Sequence, residues 1–143
     1  MNARDQLTAD VVALFAKITD LYSREYETAS AHHGLTPQQV KVLLTLDEAL
    51  PMRRIAERLG TDPSNLTALV DRLQSRGLVE RVPDPTDRRI KRIAATETGR
   101  AAVQDLRERL HFATDPLAAL DQAQRRDLRD LLQLMVDSQR PLG

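Results

Sequence analysis

Two short amphipathic stretches separated by one tight turn constrain this chain more than anything else in it. From Pro51 the apolar residues Met52, Ile55, Ala56 and Leu59 recur at helical spacing, and Gly60 stops the run. After Thr61 a second helix is predicted, with Asp62 as N-cap and Pro63 in the first turn. It carries Leu66, Leu69, Val70 and Leu73 and closes at Gly77. Helices this short need a partner, and packed across Gly60, with Ala56 small at the crossing, they form a helix-turn-helix. With Ile55, Leu59, Leu66 and Leu69 facing inward, the outer face of the second helix shows Ser64, Asn65, Thr67, Ala68, Asp71 and Arg72. Short polar donors and acceptors beside a small apolar residue suit base edges and thymine methyls in a major groove. The plainer account is an ordinary polar surface.

The flanking sequence supplies four more helices and a hairpin. Leu7, Val11, Leu14, Phe15, Ile18, Leu21, Tyr22 and Tyr26 repeat at three and four, a long first helix running to about Ala31 and stopping near Gly34. In residues 35–39, Thr36 reads as N-cap, Pro37 as first helical residue and Gln39 as the return partner of a capping box, with Val40, Leu43, Leu44 and Leu46 following. Beyond Gly77 the spacing predicts a hairpin: Leu78–Val82 outward, Pro83–Arg89 as the tip, Ile90–Ala95 returning, with arms kept short by the two prolines. Thr96 caps a fifth helix bearing Ala101, Ala102, Val103, Leu106 and Leu110, which Asp115-Pro116 is expected to break. A sixth holds Leu128, Leu131, Leu132, Leu134, Met135 and Val136.

Charge points the same way. The 143 residues carry 21 Lys or Arg and 21 Asp or Glu, which excludes a general polycation. Between Pro51 and Arg92, however, ten basic residues stand against six acidic ones, leaving eleven against fifteen elsewhere. That distribution suits a polyanion-facing patch with acidic flanks. The hairpin tip reads Asp84-Pro85-Thr86-Asp87-Arg88-Arg89, then Lys91 and Arg92. Such a cluster on a protruding ribbon repels itself unless a polyanion lies opposite, and arginine suits the narrow minor groove. Asp87, two residues before Arg89, is expected to hold that guanidinium in a productive direction.

Other chemistries find little support. Without cysteine there is no disulfide, thiolate nucleophile or thiol switch. Aromatics at 3% are too few for a base-stacking platform. No glycine-rich phosphate loop or nucleophile-elbow serine is present, so no enzyme and no cofactor are expected. His32, His33 and His111 are the only histidines and lack a tight cluster of further ligands, so no metal is expected. The N-terminal residues have no apolar signal core, no long apolar run follows, and a cytoplasmic protein without a membrane partner is expected.

The ordered set Arg54-Ile55-Ala56-Glu57-Arg58-Leu59-Gly60, Leu69-Val70-Asp71-Arg72-Leu73, Arg76-Gly77-Leu78-Val79-Glu80-Arg81, Asp84-Pro85 and Asp87-Arg88-Arg89 resembles the MarR family of winged-helix regulators. Leu35-Thr36 with Gln39 before it and Thr96 with Gly99 after it fall in the family's order, so the resemblance spans about residues 35–100. It implies a mainly α winged helix-turn-helix with a two-stranded β wing and a helical dimerisation region from both termini: residues 1–34 and 101–143 for dimerisation, 35–100 for DNA. It also implies a homodimeric repressor, less often an activator, on pseudo-palindromic double-stranded DNA, often released by a small anionic or phenolic compound. Carried over by position, Ser64, Asn65, Thr67 and Arg72 become groove-facing, Arg89 the wing-tip arginine and Asp87 its orienting acid. Phosphate contacts are expected from Arg54, Arg72, Arg88, Lys91 and Arg92. Met52 stands where a polar N-cap is common, and Ala95 where a larger leucine is usual before Thr96.

The sixth helix supports dimerisation independently. Leu128, Leu131, Leu132 and Met135 make one stripe, while Leu134 and Val136 fall off it, so more than one side needs cover. A monomeric bundle of the first, fifth and sixth helices is the alternative. For a ligand pocket between the first, second and fifth helices the candidates are Tyr22, Tyr26, His32 and His111, although two tyrosines one turn apart on an apolar face also suit plain core packing. A winged-helix module that binds protein instead of DNA is the competing function, and salt dependence separates the two.

Overall fold

The computed structural model describes residues 3–139 of the chain. They divide into two compact units, one up to Ala113 and one from Thr114.

The first unit starts with α1 (Ala3–His32), whose last turns bury Tyr26, Ala29 and Ser30. After Leu35, α2 (Pro37–Leu44) begins at the expected capping box: the Thr36 hydroxyl accepts the Gln39 amide at 3.2 Å, and the Gln39 side chain accepts the Thr36 amide at 2.9 Å. Strand β1 (Leu50–Pro51) leads into α3 (Met52–Leu59), whose N-cap is Pro51, one residue before the expected Met52, and which has no side-chain cap bond. Gly60 closes α3 in the left-handed conformation, φ 63°. That geometry lets the Thr61 amide turn back to the Ala56 carbonyl at 3.0 Å, which keeps the turn short.

The next helix departs from expectation. Instead of one helix from Pro63, residues Pro63–Asn65 form a 3-10 turn and α4 spans Thr67–Ser75. Asp62 explains the tightening: its carboxylate accepts the Ser64 amide at 2.9 Å and the Ser64 hydroxyl at 2.8 Å, and the Leu66 amide reaches only to the Pro63 carbonyl.

Strands β2 (Val79–Pro83) and β3 (Lys91–Ala95) form the hairpin, pairing Val79 with Ala95 and Pro83 with Lys91. A third strand joins the two that were expected, because β1 pairs antiparallel with β3 through Leu50 opposite Ile93, giving the order β1-β3-β2. Two residues, one of them proline, present no alternation to read, and their pairing is set by a strand far along the chain.

Thr96 caps α5 (Glu97–Arg109), accepting the Gly99 amide at 3.0 Å, while its own hydroxyl donates to the Gly77 carbonyl. A Cβ at Gly99 would sit 2.0 Å from the Leu78 carbonyl oxygen, so α5 packs backbone to backbone on the wing base. The break after α5 comes at Leu110 and not at Asp115-Pro116. There a short α6 (His111–Thr114) begins, and Glu25 of α1 accepts the Phe112 and Ala113 amides at 2.9 and 3.1 Å. Val40, Leu43, Ile55, Leu66, Val70, Leu73, Ile93, Leu106 and Leu110 are fully buried, each contributing about 1.5–3 kcal/mol of apolar burial.

In the second unit Asp121 and Gln124 form a capping box at the start of α7 (Gln122–Asp137). No residue of α7 is buried, and Leu131, Leu132, Leu134, Met135 and Val136 are exposed. Among the described residues no helix is long and apolar enough to cross a membrane.

Candidate nucleic-acid interface

The buried trio Leu66, Val70 and Leu73 fixes the rotation of α4, leaving Ser64, Asn65, Thr67, Ala68 and Arg72 exposed together. Ser64 is engaged by Asp62, whereas the Thr67 and Arg72 side chains make no hydrogen bond among the described residues. Asp71, next to Arg72, is bonded to Arg81 on β2 at 2.7 Å, and Arg81 also donates to Gln74. The exposed polar face of α4 is therefore fastened to the wing, and the Asp71 carboxylate beside Arg72 is already paired.

At the wing tip the Arg88, Arg89 and Lys91 side chains are exposed and unbonded among the described residues. Asp87 is not aimed at the Arg89 guanidinium; its carboxylate accepts the Arg89 backbone amide at 3.0 Å, because a side chain this short reaches the amide two residues on before it reaches a long side chain's end. Arg92 is only half available: its Nε donates to Asp84 at 2.7 Å. Arg54 is exposed and makes a long 3.3 Å contact with Glu57 one turn on. A groove of about 840 Å³ runs between the start of α3 and the wing, lined by Arg53, Arg54, Lys91 and Arg92 together with Met52 and Ile90.

A protruding basic hairpin beside a helix whose polar face is fixed and free is the form of a DNA-reading winged helix. Comparison with known proteins agrees. The MarR family pattern matches residues 33–90. A transcriptional regulator of the MarR family from Rhodococcus sp. RHA1 is 31% identical, with a TM-score of 0.65, covering 93% of this chain and 98% of that one. The chain belongs to the MarR family. The structure of CouR from Rhodococcus jostii RHA1, solved with p-coumaroyl-CoA, is 32% identical with a TM-score of 0.72, over 94% of this chain and 96% of that one. In sequence the chain is also similar to the transcriptional repressor MdtR of Bacillus subtilis, 34% identical over 105 residues, 69% of this chain and 65% of MdtR. The Rhodococcus sp. RHA1 protein and MdtR are regulators of transcription, and DNA binding and transcription regulation belong to the family and to this chain.

The four residues expected around a ligand pocket in this MarR-family chain have different surroundings. Tyr22 and Tyr26 meet as tilted rings with centroids 5.0 Å apart, and the Lys41 ammonium lies 5.6 and 5.2 Å from the two rings. Burial, then Tyr22, push the Tyr26 hydroxyl pKa above its ordinary value, and Tyr26 belongs to the core. His32 pairs with Arg109 at 2.7 Å, while His33 meets Asp105 at 2.6 Å. His111 is exposed at the start of α6. Arg109, then His33, hold the Asp105 carboxyl below its ordinary range. No group of three or more potential metal ligands occurs among the described residues.

Three site residues escaped sequence reasoning. Arg81 couples α4 to the wing, Arg76 donates to the His33 and Gly34 carbonyls at 2.9 and 2.7 Å, and Asp84 organises the wing tip. Only Asp84 carried a local signal, since Asp-Pro-Thr-Asp is an Asx-turn sequence.

Proposed function

We propose that this chain is a homodimeric repressor that reads a pseudo-palindromic operator and lets go of it on binding a small anionic or phenolic compound. The observation that carries the reading is electrostatic. Arg72, Arg88, Arg89 and Lys91 have no partner among the described residues, while the acids beside them, Asp71, Asp84 and Asp87, are each engaged elsewhere. Free cations beside occupied carboxylates suit phosphate contacts. Arg54 and Arg92 add to them more weakly, being partly engaged. Ser64, Asn65, Thr67 and Ala68 then choose the sequence from α4. Asp87 acts through the loop backbone.

Dimerisation is supported by the exposed apolar stripes, Leu7, Leu14, Phe15, Ile18 and Leu21 on α1 and Leu131 to Val136 on α7, which a second copy would cover. Residues 1–34 and 101–143 would then serve the dimer and 35–100 the DNA. MdtR supports the repressor role, and the p-coumaroyl-CoA of CouR supports a phenolic, anionic ligand. The protein works in the cytoplasm and catalyses no reaction.

The test is binding to the chain's own upstream DNA across a salt series, with random duplex as control. Tight binding to one palindrome, with log affinity falling steeply against log salt, is the expected result. Equal, weak binding to both duplexes would replace this reading with a protein-binding module.

A further inference from the structure

We propose that Asp84 is a positioning residue for DNA recognition: its carboxylate shapes the wing tip that presents Arg88 and Arg89, so that an acid here strengthens binding to a polyanion. The inference rests on the wing being a DNA contact.

Asp84 is 7% exposed, while every residue from Pro85 to Ile90 is exposed. One carboxylate oxygen accepts the Thr86 amide at 2.8 Å, the Thr86 hydroxyl at 2.7 Å and the Asp87 amide at 3.1 Å; the other accepts Arg92 Nε at 2.7 Å. The backbone closes over this centre, with the Asp84 amide on the Ile90 carbonyl at 2.9 Å and the Ile90 amide on the Asp87 carbonyl at 3.0 Å. Asp87 then holds the Arg89 amide. The loop has no apolar core of its own, so its shape comes from these bonds, and Asp84 accepts four of them. A tip ordered before it meets DNA avoids the ordering entropy that a loose one loses on binding.

The sign of the effect makes the role testable. Asp84 lines the same groove as Arg53, Arg54 and Lys91. The Thr86 hydroxyl and amide, then Arg92, hold its carboxyl well below the usual carboxylate range, so it stays charged. By Coulomb's law alone, removing this charge and freeing Arg92 tightens DNA binding. Positioning demands the opposite.

The experiment uses the full chain and a palindromic duplex selected by the parent protein from a randomised pool, with random duplex as control. Asp84→Asn is expected to bind the selected duplex about tenfold more weakly, with a salt slope smaller by about one, as if one phosphate contact were lost. Asp84→Glu keeps the charge but misplaces it, and is expected to be weakened as well. Thr86→Val removes one donor without touching charge, and about threefold weakening is expected from one hydrogen bond of this kind. Amide exchange at Thr86, Asp87 and Arg89 should speed up in all three variants without DNA present. Parent-like or tighter binding by Asp84→Asn, or a silent Asp84→Glu, overturns the inference. Should Asp84→Asn fail to fold, Thr86→Val with unchanged affinity and unchanged exchange overturns it equally. If Arg89→Ala is silent on the same duplex, the wing's DNA contact fails instead, and the exchange measurement still decides whether Asp84 orders the tip.

Discussion

The helix-turn-helix and α7 are built from similar leucine-rich helices, and they treat those leucines in opposite ways. In nine residues α4 buries Val70 and Leu73 completely, with Leu66 just ahead of it. In sixteen residues α7 buries nothing, and Leu134 is 67% exposed. On α1 both behaviours meet: Tyr26 and Ala29 are in the core, and Leu7 is 65% exposed. The difference teaches that the helix-turn-helix covers its own apolar face within one chain, whereas the terminal helices leave theirs exposed, as the proposed dimer requires. Exposed stripes this long are uncommon on a monomer and mark association surfaces.

The comparison can be broken most sharply at its buried end. Leu73→Ala should destabilise the chain by about 2–5 kcal/mol in urea unfolding, and a loss under about 1 kcal/mol would mean the site is not core. On α7 the pair Leu131→Asp and Met135→Asp, one turn apart, should instead leave the reading unit folded and raise the dimer dissociation constant on the order of a hundredfold by sedimentation. The parent's melting midpoint should rise with protein concentration and the double variant's should not. An unchanged dimer would remove α7 from the interface. Arg89→Ala touches neither packing nor association and should cost about 1–3 kcal/mol of operator binding, read by fluorescence titration. Parent-like binding would move the contact off the wing.

The smallest effect is acid sensitivity, and three aspartates of the first unit carry it. Asp62, Asp84 and Asp105 are all held below the ordinary carboxylate range, Asp62 by the Ser64 amide and hydroxyl, Asp84 by Thr86 and Arg92, Asp105 by Arg109 and His33. In the unfolded chain each titrates near its ordinary value of about 3.9. Their contribution is therefore fully present above about pH 4 and is lost as pH falls through the lower native values. Urea midpoints should hold at pH 6 and fall by pH 3, and Asp105→Asn should remove part of the fall. A flat profile would contradict the bonding at all three sites.

What the sequence made legible was local. The Thr36 and Gln39 capping box, the Gly60 stop and the Thr96 cap each join residues three or four apart, within reach of chemistry that short motifs encode. What it hid was decided at a distance. Strand β1 exists because Ile93 lies opposite Leu50. The α5 helix ends before Asp115-Pro116 because Glu25, 87 residues back in the chain, captures the Phe112 amide at the start of α6. At the interface the exposed residues of α4 followed from the buried ones, whereas the true partner of Asp87 depended on the wing's backbone. Around the expected ligand-pocket residues, the sequence did not give the partners: Tyr26 meets Tyr22 in the core, and His32 meets Arg109, 77 residues on.

Arg81 carries a consequence that concerns speed as much as grip. By bonding to Asp71 and Gln74 it makes α4 and the wing one stiff two-pronged object. In the proposed complex, once either prong touches a duplex, the other is held over it at a high effective concentration, and its engagement becomes an intramolecular step. The two contacts should then form and break nearly together, so that a protomer leaves DNA as a unit, without lingering on one prong.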